Sequence, residues 1–432
     1  MKKYFITVFF LFAVILFSSC TPSKAKAQTT TEVPVTSQAP QDDSIFVKEY
    51  LFNNEFAIKD KKSITFGSIS GLELTKQMTI GWNLGNTFDA IGTKGLQSEM
   101  SWGQPHTEKA MIDGLADSGI KTIRIPVSWH NHIKDIKTYT IDPEWMERVK
   151  TVVDWAIEAD MYVIINSHHD NYEKPYKMLK ASGYYPNSEN LVESQRFLYN
   201  VWGQIALAFN NGYDEHLIFE TMNEPRLAGT SCEWWYNGDS KCIDAADCLN
   251  KLNQTALDAI RDSGGNNLKR FIMCPALQAS ENSASSSKFK LPQDISGQNN
   301  LILSVHAYTP YSFAMESPGD RKFTDGHKQE LDTLFSKLKK KFIDNGYPVV
   351  IGEYGATNKD NLEERMEWFD YFISNAKQNG IPCILWDNGV WQTRTQENGT
   401  PDYSESYGYY NRLQQTWYFP EITRTMINAS RE

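Results

Sequence analysis

From residue 79 onward the chain repeats one unit: an amphipathic helix, a short turn that often holds Gly, then an apolar run. The apolar runs begin near Thr79, Thr122, Tyr162, Leu217, Phe271, Leu301, Val349 and Pro382. Short unbroken hydrophobic runs suit strands buried on both faces, as in a parallel sheet covered by helices. The helical partners carry their own punctuation. Asp142-Pro143-Glu144 supplies a cap, a proline at the first helical position and a first-turn acid ahead of the stripe Trp145, Val149, Val152, Val153, Ala156. A second stripe, Leu331, Leu334, Phe335, Leu338 and Phe342, stops at Asn345-Gly346. A third runs from Asn361 through Met366, Phe369, Phe372 and Ile373 to Gly380. Glycine at such stops fits the left-handed position that ends helices.

Eight such units predict an α/β fold of the (β/α)8 TIM barrel type. The rival, an open doubly wound sheet, binds its ligand at one switch point and commonly carries a Gly-rich first turn. No GxGxxG follows the first run here. Instead polar or aromatic residues finish nearly every run: Asn86, Arg124, His168, Glu224, His306, Glu353 and Trp386. A barrel gathers all of these ends on one face.

Two of the ends are glutamates, Glu224 after Leu217–Met222 and Glu353 after Val349–Ile351. A carboxylate there must be held by partners or shift its pKa, because burying a lone charge is expensive. Either Glu alone reads as the cap of the next helix. Both in one pocket are the equipment for cleaving a glycosidic bond, one protonated to donate to the departing oxygen and the other ionised to attack the anomeric carbon. Sugar rings present apolar C–H faces, so aromatic side chains belong nearby. Trp82, Trp102, Trp129, Trp234, Trp235, Trp386 and Trp391 all fall in or next to predicted strand ends and loops.

The segments GWNLGNTFDA (81–90), RIPVSW (124–129), HHDN (168–171), MNEPR (222–226), VHAYTPYSFA (305–314), GEYG (352–355) and WDNG (386–389) resemble glycoside hydrolase family 5, and are most similar to its subfamily 4 endoglucanases. The resemblance runs from about residue 66 to 429 with all motifs in order. It implies Glu224 as general acid/base, Glu353 as nucleophile, and Asn223 as a partner of the sugar 2-hydroxyl. It places Arg124 beneath the nucleophile, Tyr308 against it, and His306 on the acid/base side. His168, His169 and Trp386 would line the subsite of the attacked sugar, with Asn86 among the binding residues. The expected activity is a retaining endo-β-1,4-glucanase on plant β-glucan, with β-mannan or xylan as alternatives set by loops 92–106, 171–192, 226–250 and 312–326. The resemblance calls for no cofactor and no metal, and for a monomer whose partner is polysaccharide. A metal-dependent hydrolase is the reading invited by His130-Asn131-His132 and His168-His169-Asp170. Adjacent histidines on a strand should point opposite ways, which speaks against it. A glycan-binding protein without catalysis should lack a Glu or the Arg, and this set is intact.

A net charge of −10 disfavours nucleic acid and anionic membrane surfaces as partners. Lys2-Lys3, the apolar run Tyr4–Phe17 and Ser18-Ser19-Cys20 form an export signal, too short to span a bilayer, which takes ~20 apolar residues. Its ending resembles a bacterial lipoprotein signal over residues 1–20, with cleavage before Cys20, which would be lipidated and become the new N-terminus; with Cys20 an ordinary thiol the protein is simply secreted. Residues 21–44, rich in Thr, Ser and Pro, read as a tether, 45–78 as a lead-in, and 79–429 as the catalytic domain. Cys232, Cys242 and Cys248 share one polar loop, and one disulfide among them is expected without a choice of pair. Cys274 and Cys383 sit in apolar runs as core residues.

Overall fold

Eight parallel strands close on themselves: β1 (Ile80–Asn83), β2 (Thr122–Ile125), β3 (Tyr162–Asn166), β4 (Leu217–Glu220), β5 (Ile272–Pro275), β6 (Leu301–His306), β7 (Val349–Tyr354) and β8 (Cys383–Leu385). This computed structural model describes residues 45–53, 62–172, 183–296 and 299–431. The export signal, Cys20 and the tether 21–44 lie outside the described residues, as do 173–182 of the loop after β3. Each strand leads to a helix on the outside: α1 (Lys109–Asp117), α2 (Pro143–Glu158), α3 (Leu191–Ala208), α4 (Ser240–Asp262), the short α5 (Glu281–Ser285), α6 (Asp325–Lys341), α7 (Leu362–Gln378) and α8 (Pro420–Arg431). The expected punctuation is present. The Asp142 carboxylate accepts the Glu144 amide at the start of α2, and Gly346 and Gly380 take positive φ beyond the ends of α6 and α7.

The strands alternate as a barrel wall must. Ile164, Ile218, Met273, Ile302, Val350 and Ile384 pack inside the barrel. Their neighbours Ile123, Val163, Phe219, Leu303 and Ile351 face the helices. The lead-in supplies the floor. Its helix Gly71–Met78, held by a reciprocal Ser70–Glu73 capping box, sends Leu74 and Met78 into the inner cluster beside Phe66. Further upstream, Tyr50 packs on Tyr199 of α3 and donates to the Ala259 carbonyl of α4. A side chain at Gly203 would collide with the Tyr50 ring, so α3 is bare where the lead-in crosses it.

Candidate active site

The last inward position of several strands is polar, and these residues form a layer just above the apolar interior: Asn83, Arg124, Asn166, Glu220 and Ser304. Arg124 is its hub. Its Nε donates to Glu220 Oε2 (2.8 Å), its Nη1 to Asn83 Oδ1 (2.9 Å) and Glu353 Oε1 (2.8 Å), and its Nη2 to Asn223 Oδ1 (2.6 Å). Burial opposes the charge on Arg124, but Glu220 and Glu353 outweigh it and hold the guanidinium above its ordinary value. Asn83 is fixed from the other side by donating to the Gly352 carbonyl.

Glu353 lies within β7 rather than just past it, and simple alternation would aim it at the helices. Val350 faces in and Ile351 faces out, so 353 should face out as well. A bulge reverses the phase. Val305 pairs with Ile351 and His306 with Glu353, one step in β6 against two in β7, and the register shifts again on the β8 side. The residue added at Gly352 turns Glu353 inward and sends Tyr354 outward onto Phe372 of α7 (4.9 Å). Inside, Glu353 Oε2 accepts from the Tyr308 hydroxyl at 2.9 Å.

Glu224 reaches the same pocket from the segment beyond β4, whose amides at Thr221 and Asn223 donate to the carbonyls of Met273 and Ser167. His306 Nδ1 stands 2.8 Å from Glu224 Oε1 and 3.6 Å from Glu353 Oε2. One oxygen of each glutamate and the His306 nitrogen all lie within 4.8 Å of one another. Three titrating groups at this spacing share their protons. Burial raises the Glu353 carboxyl against the opposing pull of His306 and Arg124. Burial acts on Glu224 the same way, but the hydrogen bond and charge of His306, with the charge of Arg226, outweigh it and hold that carboxyl low. Burial works against charge on His306, and Glu353 and Glu224 overcome it and raise the ring.

Trp386 and His168 form one side of the pocket, with ring planes 1° apart. Asn166 Nδ2 donates to His168 Nδ1 (3.1 Å), which leaves the proton of the neutral ring on Nε2. Gly85 makes room for Trp386, since a β-carbon there would sit 2.9 Å from its Cη2. Asp387 of the WDNG motif is buried and structural, accepting from Trp82 Nε1 and the amides of Gly389 and Tyr410. His169 does not point away from His168. Both lie beyond the end of β3, where strand alternation no longer applies, and their rings meet at 4.4 Å. With Asp89 they make a second cluster of three potential ligand atoms within 4.8 Å, although the Asp89 carboxylate already accepts the amides of Asn86 and Thr87. Asn86 stands half-buried in that turn, and the asparagine that ends β1 and holds Arg124 is Asn83. His130 pairs with Asp170 (2.7 Å) and His132 stacks on Trp145 (3.6 Å), both as buried structural residues.

The tryptophans divide. Trp82 and Trp129 are fully buried between strands and helices, not platforms. Trp102, Trp234, Trp235 and Trp391 are exposed. Trp102 flanks His169 at 5.5 Å and Trp234 lies under the Arg226 guanidinium at 4.2 Å. The disulfide is Cys232–Cys242, which closes the loop carrying Trp234 and Trp235, while Cys248 is a buried free thiol. Two recesses open against residues that touch the site. One of 320 Å³ is lined by His168, His169 and Arg226, and one of 470 Å³ by His306, Asn282 and Trp235.

Residues 84–391 match the family described as Cellulase (glycosyl hydrolase family 5). Endoglucanase A of Clostridium longisporum is 41% identical over 369 residues, 83% of this chain and 66% of that protein. Endoglucanase B of Ruminococcus albus is 42% identical over 355 residues, 82% of this chain and 79% of its own length. Among solved structures, a family 5 lichenase from Caldicellulosiruptor sp. F32, a Glu-to-Gln mutant in complex with cellotetraose, superposes with TM-score 0.77 at 38% identity, covering 87% of this chain and all of that one. A broad-specificity subfamily 4 endoglucanase from Ruminococcus champanellensis with bound cellotriose gives TM-score 0.76 at 37% identity, covering 84% of this chain and 100% of the other. An eight-stranded barrel with two glutamates at its mouth, matched in sequence across most of its length, places this chain in glycosyl hydrolase family 5.

Proposed function

We propose that the protein is a retaining endo-β-1,4-glucanase acting on plant β-glucans, with Glu353 as nucleophile and Glu224 as general acid/base. The carboxylate pair carries the reading. Their nearest oxygens lie within 4.8 Å, around a shared histidine. Retaining glycosidases hold the two carboxyls about 5–5.5 Å apart, whereas inverting ones leave roughly 6.5–9.5 Å for a water.

Glu353 attacks the anomeric carbon while the bond to the glycosidic oxygen breaks and the Glu224 proton passes to that oxygen. A saccharide in the cleft strips water from Glu224 and favours its protonated form, with His306 at 2.8 Å as the adjoining proton carrier. The glycosyl ester on Glu353 is then opened by water, which gives a proton to Glu224 as its oxygen bonds to the anomeric carbon. Two inversions return the original anomer. Arg124 and Tyr308 stabilise Glu353 as a carboxylate before attack and again as it departs. Arg124 also occupies the Asn223 carbonyl oxygen, which leaves the amide NH2 for the sugar 2-hydroxyl. Separate recesses against the His168–Arg226 and the His306–Trp235 parts of the site suit a bond inside a chain rather than at its end. The lichenase and endoglucanase neighbours with cello-oligosaccharides support glucan over mannan or xylan. Hydrolysis of cellulose derivative, mixed-linkage glucan, xyloglucan, glucomannan and xylan, with product sizes and NMR of the first anomer, tests this. Monosaccharide as sole product, or an α anomer formed first, overturns it.

Lys2-Lys3, the apolar run and Ser18-Ser19-Cys20 support export as a lipoprotein anchored through Cys20. Mass spectrometry of the membrane fraction tests it, and an unmodified Cys20 or a cut elsewhere refutes it.

A further inference from the structure

Glu220 is a third carboxylate of the site, and the reaction above does not use it. It is fully buried at the last inward position of β4. It accepts from Arg124 Nε (2.8 Å), Asn166 Nδ2 (2.9 Å) and Ser304 Oγ (2.5 Å), with Arg124 Nη2 2.7 Å away. The Arg124 guanidinium thus serves two carboxylates at once, Glu220 on its Nε–Nη2 edge and Glu353 from Nη1.

We propose that Glu220 is a positioning residue that sets the nucleophilicity of Glu353 by competing with it for Arg124. The proposal rests on the reading of Glu353 as nucleophile. A guanidinium devoted to Glu353 alone would stabilise its carboxylate until attack on carbon weakened. A second carboxylate on the same guanidinium, and its repulsion across the hub, return basicity to Glu353. Of the other titratable neighbours, Tyr184 and Cys274 lie within electrostatic reach of Glu220. His306, Glu224, Tyr308 and Tyr407 face Glu353. Arg124 is the group that hydrogen-bonds to both.

The test is the pH profile of kcat/KM on soluble mixed-linkage glucan for Glu220→Gln and Ser304→Ala, with thermal melting of each. Gln keeps the shape and a carbonyl for Arg124 but removes the rival charge. The acidic limb should move down by about one pH unit, through loss of one charge at an effective dielectric near 20. The pH-independent rate should fall roughly tenfold as the nucleophile weakens. Ser304→Ala withdraws a donor from Glu220, which then leans harder on Arg124, and the limb should move up by a few tenths of a unit, on the order of one neutral hydrogen bond shared over three donors. A merely structural Glu220 predicts the reverse for Glu220→Gln. Arg124 loosens, Glu353 loses its donor, and the limb rises or stays. Either result overturns the proposal. If Glu220→Gln does not fold, Ser304→Ala decides, and an unmoved or lowered limb overturns it. Anomer analysis of the wild type runs alongside, and loss of retention there strikes the nucleophile reading rather than the competition.

Discussion

Trp386 and His168 hold their ring planes parallel to within 1°, with centroids 5.8 Å apart, although they come from β8 and β3 on different arcs of the barrel. A pyranose laid on the indole face therefore finds the imidazole Nε2–H beside it as a donor. Trp386→Ala should remove about 2–3 kcal/mol of apolar contact and lower kcat/KM roughly 30- to 150-fold. Melting should change little, because the ring is half-buried. Initial rates on a cello-oligosaccharide series check this.

Gly85→Ala should reproduce much of that loss without touching the indole. The new β-carbon would stand 2.7 Å from the Asp387 carbonyl and 2.9 Å from Trp386 Cη2, so the backbone beyond β8 and the ring must both shift. A variant that melts below the wild type but still folds, and loses on the order of tenfold in kcat/KM, fits displacement of the platform, worth about 1.4 kcal/mol.

The two glutamates should separate under external nucleophiles. Glu353→Ala should abolish turnover of glucan. Glu224→Ala should stall on natural linkages but partly survive on an activated aryl glycoside, whose departure needs no proton. Azide should rescue Glu224→Ala with retained configuration and Glu353→Ala with inverted configuration, read by NMR of the glycosyl azides.

Acid should destabilise the fold through histidines held neutral. Burial lowers His132 to about 3 and His169 to about 4, and drives His168 well down. Their folded values lie below the unfolded 6.5, so the unfolded chain binds more protons as pH falls. The stability they allow is complete above that value and is lost as pH drops toward about 3. Each group contributes about 1.4 kcal/mol per pH unit in that window. His132→Phe keeps the stack on Trp145 and removes both ring nitrogens: Nδ1, which has no partner among the described residues, and Nε2, which accepts from Asn131 Nδ2 at 3.1 Å. Its acid-unfolding midpoint should move to lower pH, measured by circular dichroism at fixed temperature.

Opening the Cys232–Cys242 bond by a Cys→Ser pair should cost about 3 kcal/mol of stability by loop entropy. It should also raise KM on polymeric glucan more than on a short aryl glycoside, because the loop carries Trp234 and Trp235. Calorimetry and paired KM values decide it.

Eight strands are legible in the sequence because both faces of a parallel barrel strand are covered, which writes continuous apolar runs. The observed starts at Ile80, Thr122, Tyr162, Leu217, Ile272, Leu301, Val349 and Cys383 fall within one residue of those expected. The residues at the strand ends are legible as motifs. Glu220, Asn166 and Ser304 are not, because each is a single polar residue at or near the end of an apolar run, and only inward parity distinguishes it from a tolerated surface position. The burial of Trp82 and Trp129 depends on which face each occupies, and the cysteine pair on how a loop folds back. Sequence spacing encodes neither. The hairpins at 394–402 and 410–417 escape detection because two-residue strands leave no period to read.

The added residue in β7 leaves the aim of Glu353 a matter of register with β6 rather than of side-chain chemistry. Substitutions along Val349–Tyr354 alter size or polarity but leave the pairing with His306, and hence the inward aim, unchanged. Removing one residue at Gly352 would restore strict alternation and make Glu353 the next residue after Ile351, still inward opposite His306, with Tyr354 still outward. Loss of the bulge therefore shortens the strand beneath the carboxylate by one residue without turning it away from the barrel mouth.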